Sequence, residues 1–218
     1  MTISTTMITN YMLAAAGFYF GISLYLINRI NKQRSVSLFS AGFISLALSA
    51  VAAGTVYGFE QLPTLPPIAT ACWKIAMITI IVGGFLMLCA IIISSIKSPL
   101  KEWFIAFAAL KFASSILCGI IRGFDQTDYS FIIYDYGTAL VFVLIIQLYA
   151  TLTRRIKGGL WIVFGVIIAF AATAIRQSDI KIFYFLNSKN IHHIVLMISF
   201  FMFYKGGRVL RDRKEEIK

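Results

Sequence analysis

Long apolar runs separated by short polar segments make up most of this chain. Seven runs approach or exceed the length of about 20 mostly apolar residues that an α-helix needs to cross a bilayer. The runs are continuous and do not alternate, which favours helices over a membrane β-barrel. The predicted spans are 8–28, 36–59, 69–96, 102–121, 130–151, 160–175 and 190–204. We therefore predict an all-α polytopic membrane protein with a single domain over residues 1–218, in which the segment 180–185 adds depth to the short last span.

The amino-acid composition indicates whether water or lipid surrounds most of this protein. The chain is 59% hydrophobic and 13% charged, with a mean hydropathy of +0.84, whereas soluble domains carry about 25% charged residues. So little charge leaves too little polar surface for a water-exposed particle. The net charge of +11 is compatible with nucleic-acid binding, but the basic residues lie in short clusters between apolar runs. We therefore expect a lipid bilayer as the main partner and no nucleic acid.

The distribution of basic residues predicts the orientation in the membrane. Fourteen of the 20 Lys and Arg residues fall in alternate connections and in the C-terminal tail. They are Arg29, Lys32, Arg34, Lys97, Lys101, Arg154, Arg155, Lys157, Lys205, Arg208, Arg211, Arg213, Lys214 and Lys218. By the positive-inside rule this side is cytoplasmic, so the N-terminus lies outside. An odd number of spans agrees with that arrangement, and the basic tail is expected to anchor the topology against anionic lipid.

Motifs for cofactors are missing from the sequence. The three cysteines, Cys72, Cys89 and Cys118, have no CxxC spacing, so they indicate neither a disulfide framework nor a thiolate metal site. There is also no glycine-rich dinucleotide motif and no P-loop. We expect no cofactor from these features.

Ionisable residues within the spans are candidates for function because burying a charge in lipid is costly. Lys111 lies near the middle of the fourth span, and Asp135 lies near the start of the fifth. The two spans are joined by a short loop, so Lys111 can reach Asp135, or Asp125 and Asp128 in the loop. A structural ion pair between Lys111 and Asp135 is the favoured interpretation, and a proton or substrate relay is the alternative.

The two histidines open the last predicted span. Asn190, His193 and Met197 share one helical face at spacings of three and four residues, whereas His192 points about 100° away from His193. A structural zinc site needs three or four nitrogen, oxygen or sulfur donors, and a thioether suits softer metals. We interpret Asn190, His192, His193 and Met197 as pocket residues and predict no metal site from these residues alone.

Several segments together resemble the CREST superfamily, which contains alkaline ceramidases and adiponectin-receptor-type proteins. They are the glycine-rich end of the second span, Ala-Ala-Gly-Thr-Val-Tyr-Gly-Phe at 52–59; Asp-Tyr-Gly-Thr-Ala at 135–139; the histidine-led seventh span; and Tyr-Lys-Gly-Gly-Arg at 204–208. The closer likeness is to uncharacterised bacterial members. The resemblance implies a seven-span fold in a bacterial plasma membrane.

The resemblance also implies a zinc site, which this sequence lacks in part. CREST hydrolases hold zinc with one histidine of the second span and two of the seventh, beside a serine, and zinc-bound water attacks an amide. The corresponding positions here are Tyr57, His193 and Met197, and the serine falls on Ala53, with Ser49 one turn away. A lone imidazole does not hold zinc well enough to activate water. We therefore predict no catalytic residues and a hydrogen bond between Tyr57 and His193, directly or through water, in place of the metal.

Three functional hypotheses follow. The favoured one is a non-catalytic seven-helix protein on a ceramidase-like scaffold that binds a lipid or a membrane protein partner. The first alternative is a metal-dependent lipid amide hydrolase with altered ligands, in which His192 and Asp135 rebuild a zinc site. The second is a small transporter or proton-linked subunit that uses Lys111 and Asp135, although the spans show no broken-helix pair of the transporter kind.

Overall fold

A computed structural model describes residues 4–59, 66–124, 130–154, 158–178, 181–183 and 186–213. These residues form seven α-helices, each within a few residues of a predicted span. They are α1 (Thr5–Asn31), α2 (Arg34–Tyr57), α3 (Pro67–Ser95), α4 (Leu100–Ile121), α5 (Ser130–Arg154), α6 (Gly159–Gln177) and α7 (Ser188–Gly207). The helical part of the predicted fold is confirmed. Two short antiparallel strands between α6 and α7, β1 (Lys181–Phe183) and β2 (Leu186–Asn187), depart from the all-α prediction.

The hairpin overlaps the segment 180–185 that was expected to add depth to the last span, since β1 lies within that segment and β2 follows it. Its paired residues are Lys181 with Asn187 and Phe183 with Leu186. Of the segment 180–185, residues 180, 184 and 185 lie outside the described residues. Asn187 then caps α7, because its side-chain oxygen accepts a hydrogen bond from the Asn190 backbone N–H.

Six of the helices are arranged in a closed ring. Around the ring the order is α1, α2, α3, α5, α6, α7 and back to α1, each helix packing on the next. The fourth helix lies outside the ring against α3. Only three of its residues, Ala108, Ser115 and Gly119, are buried, while large apolar side chains such as Trp103 and Leu110 are exposed. An exposed apolar surface of this kind suits contact with lipid tails.

Small residues bring neighbouring ring helices close together. A Cβ atom on Gly17 would lie 3.0 Å from the Ala47 Cβ, and one on Gly21 would lie 3.2 Å from the Ser40 carbonyl oxygen. The Ser40 hydroxyl donates to the Gly21 carbonyl oxygen at 2.7 Å. The Gly17-xxx-Gly21 spacing therefore packs α1 on α2, which fits the role of small residues in membrane helices.

Small residues also bring α2 and α3 close together. Gly42 and Gly83 face one another, so that a Cβ on either would lie 3.2 Å from the carbonyl oxygen of the other. Beside them, Ser45 donates to the Thr79 carbonyl oxygen at 2.8 Å and Ser49 to that of Ala76 at 2.9 Å. These contacts run along the two helices in antiparallel register.

Helices α1 to α6 are long and apolar enough to cross a membrane, whereas α7 is not among these candidate spans. The composition of α7 explains the difference, since it carries Asn190, His192, His193 and Ser199, all buried in the bundle. Its polar groups face protein instead of lipid. The structure thus supports a polytopic membrane protein, and the ring places α7 between α1 and α6.

The segment after α7 folds back over the end of the bundle where α1 ends and α2 begins. Leu210 is 3% exposed and belongs to the main core cluster. The Asp212 carboxylate accepts hydrogen bonds from the backbone N–H groups of Arg34 and Ser35 at 2.7 and 2.8 Å. Because Gln33 provides no side-chain cap for α2, Asp212 satisfies N–H groups that a helix start otherwise leaves open.

We expect Asp212→Ala to lower the free energy of unfolding by about 1–2 kcal/mol, the usual cost of losing a helix N-cap. The measurement is denaturant unfolding in mixed micelles. Arg211→Ala is the matched control, because within the described residues the Arg211 guanidinium donates to the carbonyl oxygen of the adjacent Leu210, at 3.4 Å. Equal stabilities for wild type and Asp212→Ala would contradict the capping role.

Candidate functional site

A cavity of about 240 Å³ lies inside the ring. Each of the six ring helices contributes lining residues, and no described residue of α4 does. The volume exceeds the roughly 150 Å³ of a cavity that holds benzene and falls below the roughly 300 Å³ at which pockets for drug-sized ligands begin. The space suits one short apolar chain or a small amphiphile.

The cavity changes character along its length. Its polar lining includes Asn10, Ser49, Tyr57, Tyr136, Thr173, Arg176, His192 and His193. Tyr57 is the last residue of α2 and His193 lies in the second turn of α7, both near the end of the bundle where α1 begins. Leu46 and Phe200 line the cavity about 16 and 10 Å deeper along the same two helices, at 1.5 Å per residue. One end of the cavity is therefore polar, and the part near mid-bundle is apolar.

His193 belongs to a buried polar cluster shared by α1 and α7. Its Nδ1 lies 2.9 Å from the Thr9 hydroxyl and 3.5 Å from the Asn10 side-chain nitrogen. The Thr9 hydroxyl also lies 3.5 Å from the Asn190 side-chain oxygen. All four residues are less than 8% exposed. The cluster gives His193 hydrogen-bond partners within the protein, as a buried polar group requires.

The Tyr57 side chain contacts basic residues of α6 and α7. The Arg176 guanidinium donates a long hydrogen bond to the Tyr57 hydroxyl at 3.4 Å, and the Lys189 ammonium lies 5.2 Å from the centre of the Tyr57 ring. The described contacts of the His193 Nδ1 are with Thr9 and Asn10, and the hydrogen bond predicted between Tyr57 and His193, directly or through water, stays a prediction. Both residues nevertheless line the same cavity.

His192 faces α6 and also lines the cavity. Its Nδ1 lies 2.8 Å from the Ala172 carbonyl oxygen. A carbonyl oxygen only accepts hydrogen bonds, so this Nδ1 carries the hydrogen and leaves Nε2 as an acceptor. The two imidazole rings are 5.4 Å apart at an angle of 60°. As expected for consecutive helical residues, they make separate contacts.

The remaining sequence candidates lie away from the cavity wall. Asn190, Met197 and Asp135 are not among the lining residues in the described part of the chain. Asn190 supports the cluster through Thr9, and Met197 is half-buried against the apolar core. Of the face predicted from Asn190, His193 and Met197, only His193 is among the residues that line the cavity in the described part of the chain.

The expected ion pair between Lys111 and Asp135 is present. The Lys111 ammonium lies 2.5 Å from Asp135 Oδ1, with side chains 18% and 5% exposed, and the Ser115 hydroxyl donates to the same oxygen. Asp125 and Asp128, the other acids considered for Lys111, lie outside the described residues. The pair joins the outlying α4 to α5, where the Phe107 and Phe142 rings also meet at 5.0 Å. This geometry indicates a structural role.

The side chains that bind one zinc ion have to converge on a single position. Among the described residues, no three of His, Cys, Asp and Glu come together. Of the three positions at which the resemblance to CREST hydrolases would place zinc ligands, Tyr57 and His193 line the cavity and Met197 does not. Asp135, proposed above to help rebuild a zinc site, instead pairs with Lys111. The set does not fit zinc.

Sequence reasoning missed three functional candidates, Thr9, Asn10 and Arg176. Each is a polar residue within or at the edge of an apolar span, which was the signal that selected Lys111 and Asp135. Thr9 and Asn10 carry no charge, so the cost of burying a charge in lipid does not single them out. Arg176 follows the predicted sixth span, 160–175, although it lies in the last turn of α6 and lines the cavity.

We expect a double-mutant cycle on Lys111→Met and Asp135→Asn to give a coupling energy of about 1 kcal/mol or more, since contacting groups couple while distant ones add. Free energies of unfolding in mixed micelles provide the measurement. Lys111→Met combined with Asp212→Asn is the control for additivity, because Asp212 contacts α2 instead. Additive effects in the first cycle would contradict the structural role of the pair.

We expect His193→Ala to lower the free energy of unfolding by about 1–3 kcal/mol, because it leaves buried partners unmatched. Thr9→Val removes the same hydrogen bond from the other side, so the double variant should lose less than the sum of the two single losses. Met197→Ala serves as a packing control on the same helix. A strictly additive Thr9–His193 cycle would show that the hydrogen bond contributes nothing.

Comparisons with known proteins identify the chain at the level of its family. No curated protein and no solved structure matches the sequence. Residues 5–212 match one protein family, described as a family of unknown function (DUF6962). The match extends from the start of α1 to the capping residue Asp212. Because it covers nearly the whole chain, this protein belongs to the DUF6962 family of unknown function.

Proposed function

We propose that this protein is a non-catalytic seven-helix membrane protein that binds one small amphiphile, a lipid or lipid-like molecule, in its central cavity. The observation that carries the proposal is a cavity lined by six helices, polar at one end and apolar towards the middle of the bundle. An empty cavity of this volume in a packed interior costs on the order of several kcal/mol. An occupant removes that cost.

The lining supports a particular ligand chemistry. Leu46, Met77, Leu140 and Phe200 offer an apolar channel to a hydrocarbon chain. At the polar end, Arg176 provides a guanidinium that donates hydrogen bonds to a carboxylate, phosphate or carbonyl head group. The volume of about 240 Å³ admits one short chain and excludes a whole two-chain phospholipid.

The likeness to CREST proteins supports a binding function without hydrolysis. The scaffold would hold its ligand where the hydrolases hold their substrate, but Tyr57 replaces the second-span histidine and Met197 one seventh-span histidine. A single imidazole does not lower the pKa of bound water to about 7, as amide hydrolysis by zinc requires. The ligand would therefore be bound and released unchanged.

The proposed topology has seven spans in a bacterial plasma membrane, with the N-terminus outside. Packing of α7 between α1 and α6 supports a seventh crossing, although α7 is the least apolar helix of the ring. The basic residues at the end of the bundle where α1 ends support a cytoplasmic location for that end. The polar end of the cavity would then open towards the outer leaflet.

For orientation, we expect Gln177→Cys to react with a membrane-impermeant thiol reagent on intact cells and Arg211→Cys to react only after permeabilisation. Both positions are exposed and lie at opposite ends of the bundle. The variants are made in a background in which Cys72, Cys89 and Cys118 are replaced. The reverse labelling pattern would overturn the proposed orientation.

For the ligand, we expect protein purified in mild detergent to retain one amphiphile that is enriched over bulk membrane lipid. Gly137→Leu should abolish this enrichment without unfolding the protein. Gly137 lines the cavity, and a Cβ atom built on it has no neighbour within 4 Å, so a larger side chain has room. Mass spectrometry of organic extracts provides the measurement.

Ala113→Leu is the matched control, because Ala113 is exposed on the lipid-facing side of α4. It should retain the amphiphile to the same extent as wild type. Equal retention by Gly137→Leu and wild type would contradict binding in the cavity. About one equivalent of bound zinc together with release of a fatty acid from a lipid amide would instead establish the hydrolase hypothesis.

A further inference from the structure

The connection between α1 and α2 forms a basic cleft at the end of the bundle opposite the polar end of the cavity. Its lining residues are Tyr25, Asn28, Arg29, Lys32, Gln33, Arg34 and Ser37. Three of these side chains, Arg29, Lys32 and Arg34, are cationic and exposed. Within the described part of the chain, none of the three forms an ion pair.

The backbone of this cleft is held in a fixed shape. Asn28 is 7% exposed and bonds in two directions: its side-chain nitrogen donates to the Ser37 hydroxyl at 2.7 Å, and its side-chain oxygen accepts from the Gln33 backbone N–H at 2.7 Å. Gln33 in turn accepts from the Asp212 backbone N–H at 2.8 Å. The basic side chains therefore project from a preorganised turn, which lowers the entropic cost of binding a ligand.

Lys32 occupies a backbone conformation that favours glycine. Its φ of 49° and ψ of 41° lie in the left-handed region, where a residue with a Cβ atom costs about 1–2 kcal/mol. Its N–H closes α1 by donating to the Asn28 carbonyl oxygen at 2.8 Å, a bond that glycine would make equally well. A lysine at this position gives up some stability relative to glycine and places a cation in the cleft.

The exposed side chains beside the cleft suit the depth of lipid head groups. Leu26 and Ile30, on the last turns of α1, are 53% and 86% exposed, as expected for contact with lipid chains. Tyr25, 56% exposed, forms one wall, and tyrosine is typical of the membrane–water interface. Among the described residues, Asp212 is the acid that contacts the backbone of this connection, and its carboxylate accepts from the first N–H groups of α2 instead of pairing with a basic side chain of the cleft.

We propose that this cleft binds the phosphate of an anionic lipid head group in the leaflet that surrounds it. Arg29, Lys32 and Arg34 surround the phosphate, while Tyr25 and the apolar end of α1 contact the start of the acyl chains. This site is separate from the central cavity and does not depend on the ligand proposed there. Basic pockets between membrane helices are known to take such head groups.

The test is native mass spectrometry of the detergent-solubilised protein with phosphatidylglycerol and with phosphatidylcholine of the same chain length. We expect preferential binding of phosphatidylglycerol. The triple variant Arg29→Gln, Lys32→Gln, Arg34→Gln should weaken that binding about a hundredfold, from the usual contribution of each basic residue near an anionic surface. Lys205→Gln, Arg208→Gln, Arg211→Gln is the charge-matched control at the same end of the bundle. It should weaken binding by less than threefold, because Lys205 and Arg208 lie over the rings of Phe201 and Tyr204.

Lys32→Gly separates binding from folding. Because it relieves the left-handed backbone, it should keep or raise the melting temperature while weakening phosphatidylglycerol binding about fivefold. Soluble glycerol 3-phosphate at millimolar concentration should not compete; effective competition would identify the ligand as a free phosphate ester and overturn the lipid assignment. Equal losses in the two triple variants would show a general attraction of cations to anionic lipid and would also overturn the proposal.

Discussion

Polar groups inside a membrane-embedded bundle have to find their partners within the protein, because lipid tails offer none. This protein meets the constraint with hydroxyl groups that donate to carbonyl oxygens of the neighbouring helix. The Ser40 hydroxyl donates to a carbonyl oxygen of α1 at 2.7 Å, and the Ser49 hydroxyl donates to one of α3 at 2.9 Å. The Ser199 hydroxyl donates to a carbonyl oxygen of α6 at 2.7 Å. Each bond lies beside small residues that allow close approach of the backbones. Together they fix the rotation of the helices and hence determine which side chains face the centre of the ring.

The cavity is a consequence of this arrangement. Six helices in a ring leave space at the centre. The ion pair between Lys111 of α4 and Asp135 of α5 does not line this space. Most of the polar groups that line the cavity, among them Asn10, Arg176 and His193, lie at one end, and the deeper Ser49 hydroxyl donates to the Ala76 carbonyl oxygen. The result is an amphipathic chamber aligned with the helices, and this shape matches an amphiphile better than a metal ion or a hydrated solute.

The sequence predicted the helices well because an apolar run bounded by charges or prolines determines a membrane helix by itself. The ion pair was also predictable, since Lys111 and Asp135 are charged residues on spans joined by a short loop. The order of the helices in the ring was not predictable. Apolar side chains surround most spans on all faces, so no periodic pattern shows which side of a helix meets which neighbour.

For the same reason the site was only partly predicted. His193 and Tyr57 were expected to face each other, but their partners come from α1 and α6, elements distant in the chain. The contact between Thr9 and His193 joins residues 184 positions apart and leaves no local signal. The Asp212 cap on α2 is equally nonlocal. Such contacts depend on packing of the whole ring, which a single sequence does not specify by inspection.

An experimental structure of the protein in lipid nanodiscs tests the central claim most directly. The account predicts elongated non-protein density that runs from Arg176 and Tyr57 at the polar end to Leu46 and Phe200 at the apolar end. Gly137→Leu should remove that density and leave the ring unchanged. A cavity that holds only ordered water, or a single metal ion bound by His193, would contradict the account.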